Sequence, residues 1–397
     1  MFINKKPHNF LAFSVLTILV TMFSGCKKAN LTSTDETFIK YFDIGVTGLY
    51  EDQSENMILY GDGTFNNQNS NLFLNTMDQY GNLLNVSGFG ANYATFASLY
   101  RFDGYYFIYG NNYRTPRIRH LDKNLNLLYD HEVKVFENFG TNPEFIFPGK
   151  MISASDGGIV ILYTEFDNSN TTNNDCALLE VDDSFKNIKW NVSFGQPFSI
   201  SDVINATDGY IVCYYNTTGE PNNVFLTKTD LNGNILWKGI PLDPTSYDVP
   251  MNLIPLNNDS FIVFYQSLAH HNSNFGTLMA STFDQNGTQL NHYDLQTKVY
   301  SNAAIGAAVV TADKGFMVTG AHNGAVTTGM FLAKFDGGFH KQWEHDFYSE
   351  SGGTYGGSIY PLHNGGYVVL AGTNAFGKGK TGGGTVIYKT DANGNIH

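Results

Sequence analysis

The chain has 397 residues, of which 23 are Lys or Arg and 36 are Asp or Glu, so its formal net charge is −13. A nucleic-acid site needs concentrated positive charge, and the sequence has no such cluster, so we expect no nucleic-acid partner. Charged residues make up 15% of the chain, aromatic residues another 15%, and 41 residues are glycine, which favours an all-β architecture over a helical one.

The first 25 residues are typical of an export signal. Two lysines precede Phe10–Phe23, an apolar stretch of 14 residues that is too short to span a membrane but suits a signal peptide. The stretch ends in Phe23-Ser24-Gly25-Cys26, which resembles the lipobox of bacterial lipoproteins, with Phe23 where leucine is usual. The resemblance implies that residues 1–25 are removed and that Cys26 is acylated. An ordinary secretory signal with a chance cysteine is the alternative.

Residues 26–37 are predicted to form the acylated cysteine and a short polar tether. Several acyl chains give durable membrane anchoring where one would not. Lys27 stands where an aspartate would signal retention in the inner membrane, so the resemblance implies an outer-membrane lipoprotein that faces the periplasm or the cell exterior.

The rest of the chain, residues 38–397, is built from one unit repeated seven times. Each unit contains a turn followed by an apolar strand, for example DGGIVILY at 156–163, and then an apolar strand that ends in an aspartate and a tight turn. The seven repeat aspartates are Asp78, Asp122, Asp182, Asp230, Asp284, Asp336 and Asp391. Repeats of this length with four short strands are typical of β-propeller blades. We therefore predict an all-β protein, a seven-bladed β-propeller of four-stranded antiparallel blades, and we expect a monomer.

The rare residues fit this repeat. Each of the three tryptophans, Trp190, Trp237 and Trp343, follows its repeat aspartate by seven or eight positions, which predicts packing between neighbouring sheets. Cys176 and Cys213 lie inside apolar strand-like runs and are predicted to be buried structural thiols. Calcium binding by the aspartate turns is a weaker interpretation, because each turn offers too few ligands.

The segments DGGIVILY and TKTDLNGNILW (227–237) resemble the repeats of bacterial secreted and lipoprotein β-propellers, and the second is also similar to the quinoprotein-type repeat. This resemblance covers residues 38–397 and implies the propeller fold. It implies no particular activity, because propellers include enzymes, binding proteins and scaffolds.

The last repeat is incomplete, since the chain ends at His397, directly after the turn at Asp391. The missing fourth strand is predicted to come from the N-terminus, because Ile39-Lys40-Tyr41-Phe42 resembles Ile188-Lys189-Trp190-Asn191 in its first three residues. The segment from Phe38 to Ile44 would then complete the seventh blade and cover an open sheet edge.

Loop lengths divide the predicted propeller into two faces. The first-to-second and third-to-fourth turns are short and repetitive, and we call their side the short-turn face. The second-to-third loops are variable and define the opposite, long-loop face: 62–70, 111–116, 165–175, 216–223, 267–276, 321–329 and 373–383. Divergent loops on a rigid scaffold are the usual layout of a binding face. Surface loops without a function are the alternative.

Aromatic and hydrogen-bonding residues on these loops suit a neutral polar ligand, such as a glycan or an extended polypeptide. The residues predicted to bind it are Tyr113, Arg114, Phe166, Asp167, His270, His271 and His322. We expect no cofactor and no metal: GKGKTGGG (377–384) lacks the upstream glycine of a phosphate-binding loop, and adjacent histidines such as His270 and His271 usually point apart.

Three classes of function are therefore open. The composition and loops favour a non-enzymatic binding or scaffold lipoprotein with a glycan or protein partner. A carbohydrate-active hydrolase is the alternative, because acids from distant blades converge only in space and no catalytic residue can be assigned from spacing. A purely structural envelope component or a cofactor-binding propeller is the third.

Overall fold

The structure is a computed structural model, and it describes most of the chain from Thr37 onward. The described residues are 37–42, 45–52, 54–65, 68–89, 96–101, 103–111, 115–132, 145–166, 174–195, 198–216, 224–242, 247–257, 260–268, 275–300, 306–323, 328–348, 352–374 and 384–397. Every regular element in these ranges is a β-strand. Among them no helix is long and apolar enough to cross a membrane.

The strands form seven four-stranded antiparallel sheets, numbered here along the chain. Sheet 1 contains β2 (Gly45–Glu51), β3 (Met57–Phe65), β4 (Gln68–Met77) and β5 (Leu83–Phe89). Sheet 2 contains β6 (Phe96–Arg101), β7 (Gly104–Asn111), β8 (Thr115–Leu121) and β9 (Leu127–Glu132). Sheet 3 contains β10 (Phe145–Ser153), β11 (Ile159–Phe166), β12 (Asn174–Val181) and β13 (Ile188–Gly195).

Sheet 4 contains β14 (Phe198–Ala206), β15 (Gly209–Asn216), β16 (Val224–Asp230) and β17 (Ile235–Pro241). Sheet 5 contains β18 (Tyr247–Asn257), β19 (Ser260–Leu268), β20 (Phe275–Asp284) and β21 (Gln289–Tyr300). Sheet 6 contains β22 (Ala307–Val310), β23 (Phe316–Asn323), β24 (Thr328–Phe335) and β25 (Lys341–Phe347). Sheet 7 contains β26 (Thr354–Pro361), β27 (Tyr367–Thr373), β28 (Gly384–Thr390) and, from the other end of the chain, β1 (Phe38–Phe42).

The seven sheets are arranged as the blades of a β-propeller, so the predicted fold class is confirmed. From sheet 2 to sheet 7 the first strands of successive sheets contact one another, and β26 of sheet 7 contacts β2 of sheet 1, so the first strands line the inside of the ring. Asp202 on β14 illustrates this contact: its carboxylate accepts a hydrogen bond from Lys150 on β10 at 2.5 Å and from the backbone N–H of Leu253 on β18 at 2.8 Å. The fourth strand of each sheet is consequently the outermost.

The hydrophobic core lies between neighbouring sheets. Between sheets 5 and 6, for example, Phe264, Phe316 and Phe331 are all buried in one cluster. Each such ring contributes about 1.5–3 kcal/mol by leaving water. Cys176 and Cys213 are buried free thiols within these layers, as predicted, and burial raises the pKa of both.

The ring closes through β1, as the incomplete last repeat predicted. β1 pairs antiparallel with β28, with Phe38 opposite Lys389 and Phe42 opposite Thr385. In sheets 4 and 6 the residue opposite the corresponding lysine is a tryptophan, Trp237 or Trp343. Phe38 therefore occupies the tryptophan position, and the alignment of Ile39–Phe42 with Ile188–Asn191 is wrong by three residues, because the pairing with β28 decides the register.

The repeat aspartates organise the third-to-fourth turns. At Asp230, Oδ1 accepts the backbone N–H groups of Asn232 and Asn234, each at 2.8 Å, and Oδ2 accepts the side-chain amide of Asn234. The same two backbone bonds form at Asp78, Asp122, Asp284, Asp336 and Asp391. These carboxylates are committed to donors of their own turns, which agrees with the weak case for calcium.

An ion pair joins the two short turns of a blade in sheets 4 and 6. Lys228, two residues before the repeat aspartate, forms an ion pair with Asp208 of the first-to-second turn at 2.7 Å. Lys334 and Asp313 form the same pair in sheet 6 at 2.8 Å. The lysine side chains are almost wholly buried, so each pair fastens the two short turns of a blade together.

All seven second-to-third loops are shorter than predicted, and two of them differ most. The loop expected at 62–70 is mostly strand, because β3 continues to Phe65 and β4 starts at Gln68. The loop expected at 321–329 begins only after Asn323 and ends before Thr328. Backbone pairing satisfies the polar groups of these segments, so the strands continue through residues whose side chains are polar.

Candidate functional site

The structure describes only part of the predicted binding set. Cys26, Tyr113, Arg114, Asp167, His270 and His271 lie outside the described residues. Phe166 is the last residue of β11, opposite Phe145 and Asn174, and its side chain is outside the described part. His322, near the end of β23 on the long-loop face, is described with its surroundings.

His322 belongs to a polar cluster at the long-loop end of sheet 6, formed with Glu344, Asp346 and Tyr348 and called here the His322 cluster. The imidazole Nε2 lies 3.0 Å from Oδ1 of Asp346 and forms a 2.6 Å hydrogen bond with the hydroxyl of Tyr348. The rings of His322 and Tyr348 stack with centroids 5.6 Å apart. One nitrogen or oxygen atom from each of His322, Glu344 and Asp346 lies within 4.8 Å of the other two.

Strand geometry brings these residues to one face of the sheet. Glu344 and Asp346 are two residues apart on β25, so both point the same way. On β24, between β25 and the His322 strand, Gly329 lies opposite His322 and Phe331 lies opposite Asp346. A Cβ at Gly329 would come within 2.3 Å of Cε1 of Tyr348. The glycine therefore allows the tyrosine ring to lie across β24 and reach the imidazole.

A neighbouring blade holds Glu344 in place. Its Oε2 accepts a hydrogen bond from Oγ1 of Thr297, on β21 of sheet 5, at 3.1 Å. Lys341, three residues earlier on β25, donates to the same oxygen at 2.8 Å. Lys341 also reaches the carbonyl oxygen of Gln296. The carboxylate is thus positioned across the junction of sheets 5 and 6.

The cluster holds more negative than positive groups. Partial burial raises the pKa of Asp346 above its ordinary value; the His322 imidazole opposes this shift, and the charge of Glu344 adds to it. Burial, followed by the charge of Asp346, raises the pKa of Tyr348. Two carboxylates with one ammonium and one imidazole favour the approach of a cation.

Glu344, Asp346 and Tyr348 were not among the residues predicted from the sequence. The available signal was the segment EHDFY at 344–348, in which acids alternate along an outer strand. Alternation places both acids on one face, but only the sheet shows that this face is the one that carries His322. The cluster lies on the second and fourth strands of its blade, towards the outside of the ring.

A second concave feature lies on the short-turn face, between sheets 4 and 5. It is a cavity of about 320 Å³ lined by residues that include Asn205, Leu256, Phe261 and Gln285. The backbone carbonyl of Gln285 accepts the indole N–H of Trp237 at 3.1 Å, so one wall of the cavity is part of the contact between the two blades.

Comparisons with known proteins agree on the fold. No protein-family model and no curated protein matches the sequence. A hypothetical selenium-binding protein from Sulfolobus tokodaii is similar in structure, with a TM-score of 0.53 and 11% identity over 93% of this chain and 91% of that one. The polysaccharide lyase Uly1 matches with a TM-score of 0.51 and 9% identity over 87% of this chain and 89% of its own. At such identities the similarity shows the propeller fold alone.

Proposed function

We propose that the protein is an exported, outer-membrane lipoprotein whose propeller binds a glycan or protein partner on its long-loop face. One observation carries this proposal: the chain enters the propeller on the face opposite the long loops. Thr37, the first described residue, bonds to His397, next to the short turn at Asp391. An acylated Cys26 would therefore attach the membrane to the short-turn side and leave the long-loop face accessible.

The predicted loop residues supply the chemistry of this binding face. Tyr113 and Phe166 provide rings on which a sugar or an extended peptide can stack. Arg114 and Asp167 provide oriented hydrogen bonds, and His270, His271 and His322 provide polar contacts with little fixed charge. Because the seven sheets form a rigid ring, the scaffold itself loses little conformational entropy when a ligand binds to the loops.

The binding proposal is tested with a soluble form that starts at residue 27 and therefore lacks the acylated cysteine. Arrays of neutral and acidic oligosaccharides and extracts of envelope proteins are the probes. Once a ligand is identified, combined alanine substitution at Tyr113, Phe166 and His270 is expected to weaken binding at least tenfold. Alanine at Asp230 and Asn232, on the short-turn face, is the matched control and is expected to leave affinity unchanged in protein that remains folded. Loss of binding in the control together with retention in the loop variant would refute the proposal.

The membrane proposal has a separate test. Cys26→Ser removes the acylated side chain, so the variant is expected to move from the membrane fraction to the soluble fraction after cell lysis. Metabolic labelling with a fatty acid is expected to mark the wild type and not the variant. Persistent membrane association of unlabelled Cys26→Ser protein would contradict acylation.

No observation favours the hydrolase alternative. A glycosidase places its two carboxyl groups on either side of the scissile bond. In the described part of the long-loop face, Glu344 and Asp346 project from the same face of one strand, and Glu165 lies directly opposite Asp175 on the neighbouring strands β11 and β12.

A further inference from the structure

The His322 cluster combines one imidazole and two carboxylates whose donor atoms already converge. We propose that His322, Glu344 and Asp346 form a binding site for one divalent transition-metal ion, of which Zn²⁺ is the representative. The site goes beyond the proposed function, because it requires neither a glycan nor a protein partner.

The distances leave room for an ion after small side-chain rotations. Zinc binds imidazole nitrogen and carboxylate oxygen at about 2.0–2.2 Å, which places neighbouring ligand atoms roughly 3.4 Å apart in a tetrahedron. Nε2 of His322 and Oδ1 of Asp346 are 3.0 Å apart, and all three ligand atoms fall within 4.8 Å of one another. Because the side chain of Asp346 is exposed, rotation about its side-chain bonds can open the space.

The type of ligand selects the class of metal. Mg²⁺ and Ca²⁺ prefer sites made wholly of oxygen. Imidazole nitrogen with carboxylate oxygen suits Zn²⁺ and related first-row ions. The two carboxylates would neutralise the ion, and Lys341 remains paired with Glu344 outside the ligand set.

The surroundings resemble the support that metal ligands usually receive. Thr297 and Lys341 both donate to Oε2 of Glu344, which orients the carboxylate and leaves its second oxygen, Oε1, for the ion. The hydroxyl of Tyr348 lies 2.6 Å from Nε2 of His322, so it would have to turn away when this nitrogen binds the ion. A water molecule in the fourth ligand position would complete the tetrahedron.

The test is a zinc titration of the untagged soluble chain from residue 27, followed by calorimetry and by competition with a chromophoric chelator. One zinc ion per chain is expected to bind with micromolar affinity or tighter and to raise the melting temperature. His322→Ala and Asp346→Asn are each expected to lower the affinity by at least about tenfold, which is the lower end of what loss of an outer-shell partner costs. Co²⁺ substitution is expected to give an absorption spectrum of mixed nitrogen and oxygen ligands that disappears in His322→Ala.

Two controls separate this site from other histidines. His340 lies 3.2 Å from Asp336 on an exposed turn. Among the described residues it belongs to no group of three potential metal ligands, so His340→Ala is expected to keep zinc binding intact. The double variant His270→Ala/His271→Ala is expected to do the same. Melting temperatures measured with a chelator show whether each variant is folded, and Asp346→Asn, at an exposed side chain, serves if His322→Ala does not fold.

Three results would overturn the proposal. Zinc affinity unchanged in folded His322→Ala and Asp346→Asn would assign the ion to another place. Loss of zinc in His340→Ala would do the same. If the wild type binds no stoichiometric zinc, His322 and Asp346 form only a hydrogen-bonded pair and not a metal site. Because the titration contains no partner, its outcome is independent of the glycan and protein binding tests.

Discussion

The third residue after each repeat aspartate decides what the neighbouring blade can place against that turn. This residue has a positive φ at all seven turns: Gly81, Leu125, Phe185, Gly233, Gly287, Phe339 and Gly394. At three of the four glycines a large side chain of the preceding blade covers the turn: Phe38 lies near Gly81, Trp190 covers Gly233 and Trp343 covers Gly394. Where it is phenylalanine, the partner is a smaller ring: Phe185 stacks on Tyr129 and Phe339 on Tyr293. The pairs are complementary in size.

Gly233→Ala tests this complementarity. Gly233 has φ +80°, and an added Cβ would lie 2.6 Å from Cε3 of Trp190. Gly365 has φ +87° and no atom within 4 Å of the added Cβ, so Gly365→Ala introduces the same backbone strain without the collision. We expect Gly365→Ala to cost about 1 kcal/mol of unfolding free energy and Gly233→Ala about 2–4 kcal/mol, because overpacking adds about 1–3 kcal/mol.

Chemical denaturation of both variants measures the difference. A Trp190→Leu background provides the control, since a smaller side chain should accommodate the new methyl group and reduce the extra cost of Gly233→Ala. Equal destabilisation by the two glycine substitutions would show that backbone conformation alone matters at these turns.

At the scale of elements, β1 is the strand on which the closed ring depends. It supplies the fourth strand of sheet 7, and its Phe38 packs against the core between sheets 7 and 1. The Lys389 ammonium lies over the Phe38 ring at 5.9 Å and also donates to the backbone carbonyl of Gln79 in sheet 1 at 2.7 Å. The last and first blades are thus joined by a strand, a ring and a buried cation.

Deletion of residues 38–42 removes this strand, exposes the edge of β28 and uncovers the core beneath Phe38. Full burial of a phenylalanine contributes about 1.5–3 kcal/mol, and Phe38 is partly buried. With the loss of the strand pairing we expect the melting temperature to fall by about 5 °C and the protein to associate through the open edge. Deletion of residues 27–36, which stops before Thr37, is the control and is expected to leave the melting temperature unchanged. An unchanged melting temperature in the first deletion would contradict closure by β1.

At the scale of the whole molecule, the repeated turns make the propeller sensitive to acid. Hydrogen bonds from Asn126 lower the pKa of Asp122. At Asp182 burial alone would raise the pKa, but bonds from Asn187 and Ser184 outweigh it and lower the pKa to about 2. The pKa values of the other five repeat aspartates are lowered as well. Asp175 and Asp346 shift in the opposite direction, mainly through burial, and are outnumbered.

A carboxyl group with a lowered pKa in the folded state stabilises the protein above its unfolded pKa, which is about 3.9 for aspartate. That contribution disappears as the pH falls through the folded value. We therefore expect the unfolding midpoint to be nearly constant at neutral pH and to drop between about pH 4 and pH 2. Asp182→Asn is expected to make this drop shallower in denaturation curves measured across the range. A midpoint that rises on acidification would contradict the assignment.

Much of the fold was predictable from the sequence because its determinants are local. A repeat aspartate bonds to backbone groups two and four residues further on, so the turn can be recognised without knowing its partners. Seven such turns, each with a turn and an apolar strand of the same repeat upstream, set the number of blades. Sheet 7 takes its fourth strand, Phe38–Phe42, from the other end of the chain. For the candidate site, the sequence indicated the long-loop face and His322 but none of the residues around it.

The sequence by itself determined the repeat, the blade count and the origin of the closing strand, since hairpin turns and strand alternation involve near neighbours in the chain. Only the tertiary structure decided that Phe38 is the residue at the tryptophan position of sheet 7, and that Trp190 covers Gly233. It also decided that His322 meets Glu344 and Asp346, and that Thr297 of another blade holds Glu344. Such contacts depend on the pairing register and on the packing of one sheet against the next, which spacing along the chain does not encode.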